Sequence, residues 1–274
     1  MRKIKNKLIV SDFDGTLIDD NQEVLPEVRE KINEYIACGG IFAVCTGRML
    51  VSILPRVREL GLKGLVIAQQ GAVIADIESG ELIKNDGLNC DETAEVCETL
   101  EILGQPVNIY SGDKLFTDIP KDNEHLKLYE KIIGVESKHI QGKVSEFVRD
   151  KRLFCQKVAC LVFPDKRDEL YTELIKRLGA RYDVTCSARV LVEISKLGET
   201  KGAALKFLAR YYSIPTDKTV AVGDNMNDLS MIETAGTGIA VGNADNKLKL
   251  AADAVTVTNN EGAVAQIIEK FGFE

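Results

Sequence analysis

The chain has 274 residues, of which 45% are apolar and 28% charged, and a formal net charge of −7. That length suits one large or two modest domains with enough apolar surface to fold without staples, and the composition excludes a disordered chain. The negative balance argues against nucleic acid and anionic membrane as partners, since both normally meet a basic face.

Leu8 to Ser11 is a short apolar run ending in an acidic turn, as a buried parallel strand would be. Pro26 to Cys38 is helical, with Val28, Ile32, Tyr35 and Ile36 on one face, Pro at its start and Gly39-Gly40 at its stop. Ile41 to Cys45 is a second strand, followed by a helix to Leu60 with a Gly61 cap, and Leu65 to Ala68 is a third strand. This alternation predicts a parallel sheet covered by helices. From about 85 to 187 the texture changes to strands paired around turns, such as Ser111-Gly112-Asp113, with helices at Asp91 to Leu103, Asn123 to Ile133 and Lys166 to Leu178. The alternating pattern then returns. Lys201 to Tyr212 is helical, Thr219 to Val222 a strand, Asp228 to Ala235 a helix and Gly238 to Val241 a strand. A short helix at Asp245 to Ala251, a strand at Ala254 to Val257 and a helix from Gly262 complete it. The fold class read from this order is α/β, a Rossmann-like parallel sheet core carrying an inserted α+β module.

The basic start MRKIKNK is followed by an apolar run that breaks at once on Ser11 and Asp12, so no secretion signal is expected, and nothing approaches the roughly 20 apolar residues of a membrane helix. Seven cysteines without a C-x-x-C pair point to reduced thiols and a cytoplasmic protein. His125 and His139 lie among polar residues and read as surface positions.

Four segments can carry chemistry. Asp12-Phe13-Asp14-Gly15-Thr16 follows the first strand, where open parallel sheets bind ligands, and residues two apart can both face such a crevice. Alone it is an acidic turn, and Leu17 at the sixth position excludes a calcium loop. Thr46-Gly47-Arg48 follows the second strand and offers a hydroxyl and backbone N–H groups to an anion, or simply a helix cap. Lys201 opens a helix against its dipole, as many surface lysines do. Gly223-Asp224-Asn225-Met226-Asn227-Asp228 follows another strand and supplies oxygen ligands for a hard divalent cation, or a polar loop with an Asp cap. Met226 and Leu229 again break the calcium-loop spacing.

Taken together and in this order, DFDGTL at 12–17, TGR at 46–48, VEISKLGETKGAAL at 192–205 and GDNMNDLSMI at 223–232 resemble the haloacid dehalogenase superfamily of phosphatases, in particular its Cof-type members with a large α+β cap. The resemblance implies a core at 1–84 and 188–274 and a cap at 85–187 that sets substrate specificity. It also implies roles. Asp12 would attack phosphorus to form an aspartyl-phosphate, and Asp14 would act as acid and then base. Thr46, the Gly47 backbone and Asn227 would hold the phosphoryl group, and Arg48, Gln70 and the cap strands would wall the leaving-group pocket. Lys201 would neutralise charge. Asp12, the Asp14 carbonyl and Asp224 would bind Mg²⁺ with Asp228 in support. The implied substrate is a small phosphorylated metabolite of the sugar phosphate, pyridoxal phosphate or FMN type. Two alternatives stand beside it: a phosphomutase or phosphotransferase of the same superfamily, and a non-catalytic α/β binding protein. One departure is Gln70-Gly71, where such sequences usually carry Asn-Gly. Oligomeric state stays open.

Overall fold

Residues 2–188 and 190–274 are described by a computed structural model. In chain order the first elements are β1 (Leu8–Ser11), α1 (Pro26–Ala37), β2 (Ile41–Val44), α2 (Leu50–Glu59), β3 (Leu65–Ala68), β4 (Val73–Asp76) and β5 (Leu82–Asn85). Next come α3 (Cys90–Ile102), β6 (Asn108–Ser111), β7 (Lys114–Thr117), α4 (Glu124–Ile133), β8 (Ser137–His139), α5 (Val144–Lys151), β9 (Lys157–Leu161), α6 (Arg167–Leu178), β10 (Tyr182–Ala188) and β11 (Leu191–Lys196). The chain finishes with α7 (Lys201–Tyr211), β12 (Thr219–Gly223), α8 (Leu229–Thr234), β13 (Thr237–Ala240), α9 (Asn246–Ala251), β14 (Ala254–Val255) and α10 (Ala263–Ile267).

These elements form two compact units, one of residues 1–46, 56–83 and 200–274 and the other of residues 47–55 and 84–199. The sequence-based boundaries lay at 84/85 and 187/188. The first unit holds a five-stranded sheet in the order β14-β13-β12-β1-β2, parallel throughout. Its central strands LIVS and TVAVG are buried along their whole length, which is why they read as unbroken apolar runs and not as alternating ones. From β1 the chain crosses to β2 on one side, whereas β12 leads to β13 on the other, so β1 and β12 flank the point where the strand order reverses. At such a point the loops leaving the carboxyl ends part and leave a crevice.

The third expected strand departs from the reading. β3 pairs antiparallel with β4, residues that the sequence reading did not assign, in a three-stranded sheet β3-β4-β5. It meets the parallel sheet through one bridge, Cys45 to Ile67, and through the Thr46 N–H to the Ile67 carbonyl at 3.0 Å. A four-residue apolar run does not say which neighbour it will pair with.

The second unit holds a six-stranded sheet, β10-β11-β9-β6-β7-β8, antiparallel except for β7 with β8. Its strands alternate between two buried faces. Ile109, Val158, Cys160, Val192 and Ile194 pack with α3, α5 and α6, whereas Tyr110, Leu115, Ala159 and Leu191 form a separate cluster with Met49 and Ile133. α5, with a basic and acidic outer face over Val144 and Val148, is a helix the sequence reading passed over. Among the described residues no helix is long and apolar enough to cross a membrane.

Candidate active site

Asp12 leaves the carboxyl end of β1 and Asp224 that of the adjacent β12. Parallel register sets them side by side, and the Asp12 N–H donates to the Val222 carbonyl at 2.9 Å. The two loops press close together. A Cβ on Gly15, whose φ is +74°, would meet Asp224 Oδ2 at 2.8 Å, so both the left-handed backbone and the space require glycine. The Thr16 hydroxyl donates to Asp224 Oδ1 at 3.0 Å, and the Asn243 amide donates to the Gly15 carbonyl at 2.8 Å. Phe13, between the two acids of the first loop, is fully buried and belongs to the core.

Lys201 is fully buried at the first turn of α7, behind the N-cap Thr200. Its Nζ donates to Asp12 Oδ1 at 2.6 Å and to Asp228 Oδ1 at 2.5 Å. The remaining Asp228 oxygen, Oδ2, accepts the backbone N–H groups of Asp224 (2.9 Å) and Asn225 (3.0 Å), fixing the loop after β12. Burial alone would lower the Lys201 ammonium, but Asp12 and Asp228 outweigh it and hold it well above the usual lysine value. Burial pushes the Asp12 carboxyl well above its ordinary range, with Lys201 pulling the other way. Burial, then the neighbouring Asp228, pushes Asp224 up to about 6.

Carboxylate oxygens of Asp12, Asp224 and Asp228 lie within 4.8 Å of one another. Three acids therefore face one ammonium in a buried pocket, an excess of negative charge that costs free energy unless a cation joins it. The donors are all hard oxygens, and both oxygens of Asp228 are already engaged. A few carboxylates with room for waters suit a small divalent cation better than the crowded oxygen cage that calcium prefers. The residues present fit such an ion.

Thr46, expected as a phosphate ligand or helix cap, is not a cap: α2 begins only at Leu50. Thr46 is instead buried at the end of β2, and its carbonyl accepts the Gln70 N–H at 3.0 Å. The anion cradle anticipated at a helix start is thus a loop of non-helical residues. Asp14 follows Asp12 on the same loop and is half-buried. Asn227 is half-buried, its Nδ2 3.2 Å from Gln70 Oε1. Gln70 sits in the left-handed region at φ +62° and is buried, a strained placement for a side chain this long. Gly47 and Arg48 group with the second unit. Asn243 escaped the sequence reading, and Thr16, although inside the first segment, was given no role there. Asn243 follows the end of β13, the same signal that marked the other segments.

Residues 9–268 match the family described as haloacid dehalogenase-like hydrolase. The phosphatase YwpJ of Bacillus subtilis is 30% identical over 286 residues, covering 96% of this chain and 99% of its own. YcsE of the same organism, a 5-amino-6-(5-phospho-D-ribitylamino)uracil phosphatase, is 29% identical, with 96% of this chain and 94% of its own covered. Among solved structures, a HAD/COF-like hydrolase of Plasmodium vivax superposes with a TM-score of 0.84 at 25% identity, over 97% of this chain and 95% of that one.

Proposed function

The chain belongs to the haloacid dehalogenase-like hydrolases, as a Cof-type phosphatase, and from that premise we propose that it is a Mg²⁺-dependent enzyme that hydrolyses a small phosphorylated metabolite through an aspartyl-phosphate on Asp12. The observation that carries this reading is the buried Lys201 ammonium bridging Asp12 and Asp228 beside Asp224. A carboxylate attacking a phosphate monoester meets an anion; Lys201 supplies one opposing charge, and a divalent cation on the acids would supply the rest.

In this mechanism one Asp12 oxygen attacks phosphorus in line with the leaving oxygen, and the bond from phosphorus to the leaving oxygen breaks. Asp14 gives that oxygen its proton, releasing an alcohol. Asp14 then takes a proton from water as the water attacks the same phosphorus, and inorganic phosphate leaves with Asp12 restored. The covalent intermediate divides one difficult displacement into two, and acid–base help from Asp14 would contribute about 10²–10⁴-fold. Thr46, the Gly47 backbone and Asn227 would orient the phosphoryl oxygens. Lys201 holds Asp12 in place and offsets its charge, while Asp228 keeps Lys201 and the Asp224 loop fixed. A divalent ion, held by Asp12, Asp224 and the Asp14 carbonyl, would add positive charge where the phosphoryl group gathers negative charge. Arg48 would wall the leaving group. The relative acting on a phosphoribitylamino compound supports a leaving group of metabolite size. The reduced cysteines support a cytoplasmic setting.

The test uses p-nitrophenyl phosphate with and without Mg²⁺. Phosphate release that depends on the ion, and that Asp12→Asn removes while circular dichroism stays unchanged, supports the reading. Full turnover in Asp12→Asn sinks the mechanism, and phosphate transfer only to an added sugar acceptor would make the enzyme a phosphotransferase.

A further inference from the structure

Lys157 on β9 carries an ammonium whose side chain is 3% exposed, ion-paired with Glu193 on β11, 2% exposed. Across this antiparallel ladder Lys157 lies opposite Ser195, so Glu193 is its diagonal neighbour, within reach of a long side chain. Stability alone does not account for such a pair. Desolvating two charges cancels most of their attraction, and apolar residues of similar volume do as well or better. The ammonium makes two further contacts. It donates to the Gly47 carbonyl at 2.9 Å, and it sits 4.5 Å from the centre of the Tyr110 ring. The Tyr110 hydroxyl is in turn hydrogen-bonded to that of Tyr129. Two residues after Gly47, Met49 is 1% exposed in the cluster of Tyr110, Leu115, Ile133, Ala159 and Leu191. The segment Gly47–Met49 is therefore held twice within the second unit, once by a charge on its carbonyl and once by an apolar socket.

We infer that Lys157 is a positioning residue for phosphate recognition, acting through the Gly47–Arg48 peptide, with Glu193 keeping its ammonium in place. In a trans peptide the carbonyl and the following N–H point in opposite directions. An ammonium fixed on the Gly47 oxygen thus turns the Arg48 N–H away from Lys157 and freezes the plane of the loop. A loop built from glycine beside an anion gains most from such a restraint, because disorder there is lost affinity. Lys157 itself does not touch the phosphoryl group. The inference rests on the proposed role of Thr46–Arg48 as the phosphate loop.

The experiment replaces the pair with apolar residues of similar size, Lys157→Met with Glu193→Leu, so that no charge is left unpaired. KM and kcat are measured with p-nitrophenyl phosphate and Mg²⁺, and the inhibition constant of inorganic phosphate is measured alongside. The expected result is a rise of about tenfold in KM and in the phosphate inhibition constant, with kcat within about threefold of the parent, since a loosened loop weakens ground-state and transition-state binding alike. A folded double variant with unchanged KM and phosphate inhibition overturns the inference. If the double variant does not fold, Glu193→Gln takes its place. A smaller rise of the same kind supports the tether, and no rise removes it. A parent enzyme that releases no phosphate sinks the phosphatase reading, whereas an active parent with an indifferent variant sinks only the role of Lys157.

Discussion

Lys201 has no water to fall back on: it is fully buried between Asp12 and Asp228. Replacing it with methionine keeps the volume but leaves two carboxylates facing each other without a counter-charge. Removing one partner of a buried charge cluster costs about 3–5 kcal/mol, so the metal-stripped Lys201→Met protein is expected to lose stability on that scale in urea titration and to show no turnover. Addition of Mg²⁺ should restore part of the stability and none of the turnover. A variant as stable as the parent without metal would show that Asp12 and Asp228 are not both ionised beside it. At this scale the motifs were readable as letters: Asp12, Lys201, Asp224 and Asp228 were all singled out from their places after strands or at a helix start. The division of labour among them was not readable. That one Asp228 oxygen holds Lys201 and the other ties two backbone N–H groups is a matter of distances, and spacing along the chain does not encode it.

Helix α7 delivers Lys201, and what seats α7 is its closeness to α8. A Cβ on Gly202 would lie 2.3 Å from the Ser230 carbonyl oxygen and 2.9 Å from the Thr234 hydroxyl. The Gly202 N–H also donates to the Ser230 hydroxyl at 3.0 Å. Gly202→Ala should therefore force the helices apart and destabilise the protein by about 1–3 kcal/mol, even though alanine favours a helix. The same shift would move the neighbouring lysine. The expected outcome is a lower melting temperature together with reduced kcat on p-nitrophenyl phosphate. A gain in stability, as propensity alone predicts, would disprove the packing argument. The glycine reads in the sequence as an unremarkable helix position, because the atom it avoids is 28 residues away. The pairing of β3 hid for the same reason. Its apolar run marks it as a buried strand, but choosing β4 over β2 depends on which loop folds back, and a four-residue run does not encode that.

Across the first unit, the two ends of the sequence close on each other. Ile4 bridges Phe273, the Lys5 N–H donates to the Gly272 carbonyl at 2.9 Å, and the Arg2 guanidinium lies 3.9 Å from the centre of the Phe273 ring. Arg2 and Lys31 both reach Glu269. The hydrogen bond from Arg2, then that from Lys31, holds the Glu269 carboxyl down at about 2, against an ordinary 4.5. Between those two values the unfolded chain binds more protons than the folded one, so stability rises with pH. The contribution of Glu269 is thus fully present above about pH 4.5 and is lost as the pH falls towards 2. Glu269→Gln should flatten that part of a urea-midpoint profile and leave neutral pH little changed. Because these charges face solvent, the effect should be small and should shrink with added salt. An unaltered acid limb at low salt would discount the pairing.

The sequence by itself determined the class of the fold, the strand-to-loop position of each reactive segment and the chemistry those residue types can perform. Apolar period, turn residues and short-range order are local properties, and they are written in consecutive residues. Only the tertiary structure decided that Asp12 and Asp224 share one pocket, that Asp228 is engaged at both oxygens, that Thr46 precedes α2 without capping it, and that Lys157 reaches the Gly47 carbonyl. Each of these joins residues from different elements, and the free energy that fixes them comes from register, burial and pairing of charges, which come into being only once the chain has closed on itself.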